Sequence, residues 1–352
     1  MTQYESHIAD AQRNGDMTAT DESVSARTSP RRGTATWFAV AGELLGSFLV
    51  CFAIFVAYAF GTPLYGTNLA FIAIATAAAY VLVSMTFRSF SRVQLNPAVT
   101  LASVLTSKTH VLDGILYVVA QLLGAVAAAA AFRSLLPVSK TLTRKLWLTY
   151  AVNGFDKGSV SYSSLNGAGA TFGIAVAIAV EIVASLIIVS ASIASTDAEG
   201  VPTSRHAMHM GIAYGLGAAI TFPVTGAALN PARATGIALF AEHQGLSVEP
   251  LSQLWVFWIA PVLAAAVVSL VLVAKEIFSD NAAVSSLSAS VADDGYEADK
   301  TDATEQTVEQ TEEVRYADDA DEPTASVQDA NAEVQHQQTD AQGDSNESVK
   351  TD

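Results

Sequence analysis

Two asparagines in this chain stand where their side-chain amides could bind small polar molecules. Each belongs to the same four-residue pattern, Leu-Asn-Pro-Ala, which contains Asn96-Pro97-Ala98 in the first copy and Asn230-Pro231-Ala232 in the second. Asparagine followed by proline predicts a helix start, because the asparagine oxygen caps free N–H groups and proline has none to lose. Capping need not use the amide NH2 group, which can donate hydrogen bonds elsewhere.

A single arginine follows the second copy directly. Arg233 carries a guanidinium that is always charged, and the long apolar stretches on both sides predict that it lies inside a membrane. An intramembrane arginine is costly, so it indicates a functional site by default. A purely structural salt bridge is the alternative interpretation.

Six long apolar segments surround these residues and predict membrane-spanning helices. Most approach or exceed the roughly 20 residues that a spanning helix needs, and their few acidic residues are Glu43, Asp113 and Glu181. A soluble helical core could not bury six such segments. We therefore predict an all-α membrane protein with spans at Trp37–Phe60, Leu69–Phe87, Val111–Phe132, Ala170–Ser190, Met208–Val224 and Leu254–Ala274.

The two Leu-Asn-Pro-Ala copies divide the chain into similar halves. Glu43 precedes Asn96 by 53 residues, and Glu181 precedes Asn230 by 49. Each half holds three spans, an odd number, so the second half enters the membrane upside down relative to the first. The apolar stretch that each copy opens is too short to cross a bilayer. The sequence therefore predicts two re-entrant half-helices in an inverted repeat, with the site between the repeats.

Opposed half-helices would bring their N-terminal ends together at mid-membrane. Each end carries about half an elementary positive charge, which disfavours cations there. A water molecule that accepts a hydrogen bond from Asn96 or Asn230 can donate only outward, which interrupts a proton-conducting chain of waters. Glu43 and Glu181 are better explained as structural acceptors for N–H groups of the re-entrant turns than as a proton relay.

The formal net charge of −16 comes from the C-terminal part of the chain. Residues 280–352 hold 20 acidic residues against three basic ones, so the charge does not indicate nucleic-acid binding. We predict disordered tails at 1–35 and 280–352 around a membrane domain at 36–279, with repeats at about 36–133 and 170–278. An even number of spans places both tails on one side, and the distribution of basic residues favours the cytoplasm.

The chain from about Trp37 to Phe278 resembles the aquaporins, members of the major intrinsic protein family. The stretches that carry the resemblance include LNPAVT at 95–100, FPVTGAALNPAR at 222–233 and LWVFWIAP at 254–261. It implies a right-handed helical bundle among membrane lipids, assembled as a homotetramer, placed in the plasma membrane and conducting water and small uncharged solutes. In that family the arginine lines the narrowest part of the pore, where it repels cations and donates hydrogen bonds to the permeant.

The resemblance also implies an outer selectivity filter in which three further side chains join the arginine. Counting along the chain from the two Asn-Pro-Ala boxes, 96–98 and 230–232, assigns these positions to Thr76, Ala218 and Ala227. Water-selective members usually carry an aromatic residue and a histidine at the first two positions, and glycerol-conducting members carry two aromatic residues. The small side chains here imply a wider filter that passes small neutral solutes. Ala234 and the pair Phe257-Trp258 instead match water channels, which leaves the permeant open.

Three other functions compete with a water channel. The nearest is a glycerol or polyol facilitator. An ion- or proton-coupled secondary transporter is also built from inverted repeats, but the acids within the spans have no obvious mobile counter-charge. The third is a structural membrane protein whose acidic tail recruits partners. The sequence has no catalytic triad, phosphate loop or metal-ligand spacing, so it indicates no enzyme, cofactor or metal site.

Overall fold

The computed structural model describes residues 32–293, and the surroundings of side chains from 37 to 279. Within that range the chain is helical, and its strand-like pairing is one bridge between Thr196 and Pro202. The helices are α1 Arg32–Tyr65, α2 Leu69–Phe87, α3 Pro97–Leu105, α4 Val111–Leu135, α5 Arg144–Thr149, α6 Tyr162–Asn166, α7 Ile174–Ala194, α8 His206–Thr225, α9 Pro231–Ala241, α10 Pro250–Gln253 and α11 Val256–Asp293.

Six of these helices are long and apolar enough to cross a membrane, namely α1, α2, α4, α7, α8 and α11. This confirms the prediction of an all-α membrane protein with six spans. The bounds of α2 coincide with the predicted span. The span predicted from Ala170 begins instead at Ile174, because Gly173 in an extended conformation is its N-terminal cap.

The last helix continues to Asp293, past the boundary at residue 279 that the change in composition predicts. Ala, Ser and Val are frequent between 281 and 293, and alanine is the best helix former, so the helix can extend beyond its apolar part. Residues 32–35, predicted to belong to the N-terminal tail, instead begin α1. The rest of the tails predicted at 1–35 and 280–352 lies outside the described residues.

Two helices, α3 and α9, are too short to span. They have 9 and 11 residues, roughly 14 and 17 Å at the usual rise per residue, against a hydrocarbon core of about 30 Å. Each packs on the last spanning helix of the other half: α3 on α11 and α9 on α4. In the same symmetrical way α1 pairs with α4 and α7 with α11. The predicted inverted repeat therefore appears in the packing.

The two halves meet along α2 and α8, which contact each other over their length. Small residues bring the backbones together there: a Cβ on Gly215 would lie 3.1 Å from the backbone oxygen of Ala73, and one on Gly211 would lie 3.0 Å from that of Ala77. Close approach through small residues is common between membrane helices. It places the side chains of α2 and α8 opposite one another at the centre of the bundle.

Candidate functional site

Both asparagines cap the half-helices that follow them. The Oδ1 atom of Asn96 accepts a hydrogen bond from the backbone N–H of Ala98 at 2.9 Å. The Oδ1 atom of Asn230 accepts the equivalent bond from Ala232 at 2.9 Å. In each copy the proline is the first helical residue, where its missing N–H costs nothing.

The two turns also bond to each other. Asn96 donates from Nδ2 to the backbone oxygen of Leu229 at 2.9 Å, and Asn230 donates to that of Leu95 at 2.7 Å. Both leucines have positive φ angles, 52° for Leu95 and 57° for Leu229, a strained conformation for a residue with a side chain. Such strain persists where the surroundings impose it. The N-terminal ends of α3 and α9 therefore face each other inside the bundle.

Glu43, fully buried on α1, fixes the first turn. Its carboxylate accepts hydrogen bonds from the backbone N–H groups of Leu95 at 2.7 Å and Gln94 at 2.9 Å. It also accepts bonds from Ser91 Oγ and Gln121 Nε2, each at 2.8 Å. Four donors therefore converge on one carboxylate, which leaves it little capacity to bind anything else.

Glu181, fully buried on α7, occupies the equivalent place in the second half. Its carboxylate accepts from the backbone N–H of Leu229 at 2.9 Å and of Ala228 at 3.2 Å. The hydroxyl of Thr225 donates a further bond to it. Glu43 and Glu181 thus make equivalent hydrogen bonds to the turns of their own halves, as the inverted repeat requires.

Arg233 is the third residue of α9, and its guanidinium is buried. It faces oxygen atoms at 2.5 to 3.5 Å, which belong to the backbones of Ala151, Gly226, Ala227 and Ala228 and to the side chain of Asn153. Among the described residues no carboxylate oxygen lies within 4.0 Å of its nitrogens. Carbonyl dipoles, rather than a structural salt bridge, therefore balance its charge.

Two aromatic rings of α1 complete the surroundings of the guanidinium. Its central carbon lies 5.3 Å from the ring centre of Tyr58 and 5.6 Å from that of Phe55, distances at which a cation is attracted by the ring face. The hydroxyl of Tyr58 forms a 2.6 Å hydrogen bond with the hydroxyl of Thr76. Tyr58 thereby links Thr76 to Arg233.

The three small residues assigned to the filter are all buried, and two of them connect to this arginine. Ala227 supplies one of the oxygens that Arg233 binds, and Thr76 reaches it through Tyr58. Ala218 packs in the same buried cluster as Tyr58 and Ala227. The structure therefore connects Thr76 and Ala227 to Arg233, and it adds the ring of Tyr58, which counting from the boxes does not reveal.

Sequence reasoning also missed a pair of tyrosines at the boxes. The hydroxyl of Tyr80 accepts a hydrogen bond from Asn230 Nδ2 at 3.2 Å, and that of Tyr214 accepts one from Asn96 Nδ2 at 2.8 Å. Their spacing was a usable signal, because each tyrosine stands sixteen residues before an asparagine, Tyr80 before Asn96 and Tyr214 before Asn230. In an apolar helix, however, a tyrosine is more readily interpreted as a packing residue.

A model of the family described as "Major intrinsic protein" matches residues 30–272. The chain belongs to the major intrinsic protein family. Members of this family are channels rather than enzymes. With its six spanning helices, this major intrinsic protein is an integral membrane protein, and the predicted resemblance is confirmed.

Individual relatives agree with the family. Aquaporin Z of Rhodopseudomonas palustris is 30% identical over 229 residues, covering 63% of this chain and 86% of that protein. Aquaporin Z of Brucella melitensis is 31% identical over 179 residues, covering 49% of this chain and 68% of that protein. The X-ray structure of the aquaglyceroporin from Plasmodium falciparum has 19% identity and a TM-score of 0.53, covering 66% of this chain and 94% of that one. The last comparison supports the fold.

One group of possible metal ligands lies away from the boxes, after α9. Ligand atoms of Glu242, His243 and Glu249 lie within 4.8 Å of one another. The two carboxylates accept backbone N–H bonds, from Leu251 to Glu242 and from His243 to Glu249. These contacts close the loop between α9 and α10.

Proposed function

We propose that this protein is a passive transmembrane channel that conducts water and small uncharged solutes while it excludes protons and ions. The observation that carries the proposal is the head-to-head meeting of the two Asn-Pro-Ala turns inside the bundle, next to Arg233. Membership of the major intrinsic protein family and the similarity to proteins named Aquaporin Z support it.

The charge distribution at the meeting point supports exclusion of cations. The positive ends of α3 and α9 face each other, each equivalent to about half an elementary charge. Glu43 and Glu181, which could attract a cation, have their oxygens engaged by donors from the turns. Arg233 adds a full positive charge close by. A cation would therefore meet repulsion, whereas a neutral solute would not.

We assign the outer filter to Arg233, Thr76, Ala218 and Ala227, with Tyr58 as a fifth member. The arginine supplies hydrogen-bond donors, Thr76 supplies a hydroxyl, and the ring of Tyr58 supplies an apolar face. The two alanines leave the filter without bulk on their side. This combination suits a small solute that carries both hydroxyl groups and carbon atoms, so a glycerol or polyol facilitator is the second candidate function.

The carboxylates of Glu43 and Glu181 act as positioning groups in this proposal. Each carboxylate accepts hydrogen bonds from two consecutive backbone N–H groups of a non-helical turn. Within the described residues these N–H groups have no other partner. Non-helical backbone at membrane depth is tolerated only when it is satisfied in this way. The acids therefore keep Asn96 and Asn230 in place.

We further propose that residues 36–279 form the channel domain and that four copies assemble, each with its own pore. The termini would lie on the cytoplasmic side of the plasma membrane, since six spans return the chain to its starting side and basic residues are more frequent there. Light scattering of the purified protein in detergent measures the oligomer. Protease access to terminal tags on intact cells measures the orientation.

Stopped-flow light scattering of proteoliposomes tests the function. Vesicles that contain the protein should shrink faster than protein-free vesicles in an impermeant osmolyte, and should re-swell in glycerol if the polyol function is correct. Rates equal to those of protein-free vesicles would refute the channel. Accumulation of a solute against its gradient when a proton or sodium gradient is applied would instead indicate a coupled transporter.

A further inference from the structure

Two stacked tyrosine rings lie beside the Asn-Pro-Ala turns and bond to both asparagines. Tyr80 of α2 and Tyr214 of α8 are stacked with their ring centroids 3.3 Å apart and their planes within 5°. Their exposed fractions are 1% and 0%, and those of Asn96 and Asn230 are both 1%. The rings and the asparagines are therefore almost completely buried in this conformation.

The tyrosine hydroxyls occupy the hydrogen-bond donors that a permeating molecule would use. An asparagine NH2 group has two hydrogens. In each asparagine one hydrogen goes to a backbone oxygen of the opposite turn, and the other goes to a tyrosine hydroxyl, Tyr214 for Asn96 and Tyr80 for Asn230. Within the described residues, each hydroxyl stands where the oxygen of a water molecule or an alcohol would have to accept.

The helix packing explains how the rings come so close. Tyr214 lies between Gly211 and Gly215 on α8, the two glycines whose missing Cβ atoms allow α2 to approach. Tyr80 stands opposite, one turn after Ala77. The arrangement is symmetrical, since each tyrosine precedes the asparagine of its own half by sixteen residues and bonds to the asparagine of the other half.

We infer that the Tyr80–Tyr214 pair forms a barrier of the pathway at the boxes, in addition to the outer filter, and limits which solutes pass and how fast. The inference rests on the proposed channel function. A permeant must part the rings and replace each hydroxyl on its asparagine. Compact solutes with an oxygen that accepts from an N–H group, such as water and small alcohols, are favoured. Bulkier or purely apolar solutes are excluded at the boxes even though Thr76, Ala218 and Ala227 are small.

Removing the rings should open the pathway. We compare wild type with Tyr80→Val, Tyr214→Val and the double variant in proteoliposomes, measuring water, glycerol and urea permeability. The double variant should conduct water about tenfold faster, which corresponds to about 1.4 kcal/mol of barrier, and should admit the larger solutes. Tyr65→Val is the matched control, since Tyr65 is 81% exposed at the end of α1; its permeability should equal that of wild type.

Two further variants test whether the gain in permeability arises from removal of the tyrosine rings. Adding Ala218→Trp to the double variant should abolish the gain, because it refills the same pathway one turn further along α8. Tyr80→Phe with Tyr214→Phe keeps the rings and frees the asparagine donors, so its permeability should rise less than that of the valine double variant. An equal gain in the phenylalanine and valine double variants would overturn the assignment of the barrier to the rings.

The outcomes separate this inference from the function on which it rests. Wild-type flux above protein-free vesicles with no gain in any valine variant would overturn the tyrosine barrier and leave the channel standing. Protein-free rates in every variant would overturn both. A misfolded variant cannot mimic the expected gain, provided that vesicles carrying the variant retain trapped carboxyfluorescein as well as wild-type vesicles do.

Discussion

At the scale of single residues, the guanidinium of Arg233 combines two properties that are rarely found together. It is buried, yet the atoms around it are carbonyl oxygens and ring faces rather than a carboxylate. Its positive charge is therefore stabilised without being cancelled, so it still acts on its surroundings. The guanidinium can therefore repel a cation through its charge while its N–H groups still donate hydrogen bonds.

Replacing the arginine should make the channel leaky to cations. A unit charge acts on a cation several ångströms away with an energy on the order of 2 kcal/mol at an effective dielectric constant of about 20. We therefore expect Arg233→Val to raise proton leakage at least about tenfold, measured with a pH-sensitive dye inside vesicles. Arg144→Val, at an exposed position that begins α5, is the control. Unchanged leakage in Arg233→Val would show that other groups exclude cations.

A bulkier residue at Ala218 should narrow the outer filter. Ala218→His adds an imidazole to a fully buried position in the same cluster as Tyr58 and Ala227, and should lower the ratio of glycerol to water permeability severalfold. Ala198→His, in the exposed loop after α7, should leave that ratio at its wild-type value. If both variants behave alike, Ala218 does not line the path.

The residues that sequence analysis found and missed differ in how much their type reveals. An asparagine, arginine or glutamate inside an apolar segment is conspicuous, because its burial is costly unless it has a purpose. Tyr58, Tyr80 and Tyr214 are not conspicuous, since tyrosine is common in helices that pack together. Their partners depend on the approach of α2 to α8 and of α1 to α9, which no local pattern encodes.

At the scale of elements, the turn before each half-helix depends on an acid from a distant span. Glu43 accepts four hydrogen bonds, and glutamine in its place would offer one acceptor oxygen and an NH2 group that faces donors. We expect Glu43→Gln to lower stability by about 2–4 kcal/mol, seen as a lower melting temperature in detergent. Glu199→Gln, at an exposed loop position, should melt like wild type. An unchanged melting temperature in Glu43→Gln would contradict the anchoring role.

The contact between α1 and α4 requires a glycine. A Cβ on Gly124 would collide with the backbone oxygen of Leu44 and lie 3.0 Å from the backbone nitrogen of Phe48. Gly124→Ala should therefore cost about 1–3 kcal/mol through overpacking, measured by thermal unfolding in detergent. Gly167→Ala is the control, since its added Cβ would meet nothing within 4 Å. Equal melting temperatures would mean that the helices can separate at little cost.

Element boundaries were predictable where sequence chemistry marks them. Asn-Pro marks the starts of α3 and α9, and the structure begins both helices at the proline. The end of α11 carries no such mark, and its helix continues into a region that composition alone assigns to the tail. The hydropathy of the sequence indicates where the apolar part of a helix ends. The backbone hydrogen bonds of the helix can continue beyond that residue.

At the scale of the whole molecule, counting spans was enough to predict the relation of the halves. Three spans in each half force the second to be inverted, and the packing of α3 on α11 and of α9 on α4 follows that symmetry. What counting could not give is the distance between the halves. That distance depends on Gly211 and Gly215 meeting Ala77 and Ala73, and it decides whether the two tyrosines touch.

The crossed packing of the half-helices also governs the order in which the molecule can be assembled during synthesis. The first half-helix, α3, leaves the ribosome about 150 residues before α11, the helix on which it packs. Asn96 also lacks one hydrogen-bond partner until Leu229, which stands 133 residues further along the chain, has been synthesised. Until residue 256 has been made, α3 therefore has no α11 on which to pack, and a chain that stops before Leu229 cannot complete the hydrogen bonds of Asn96.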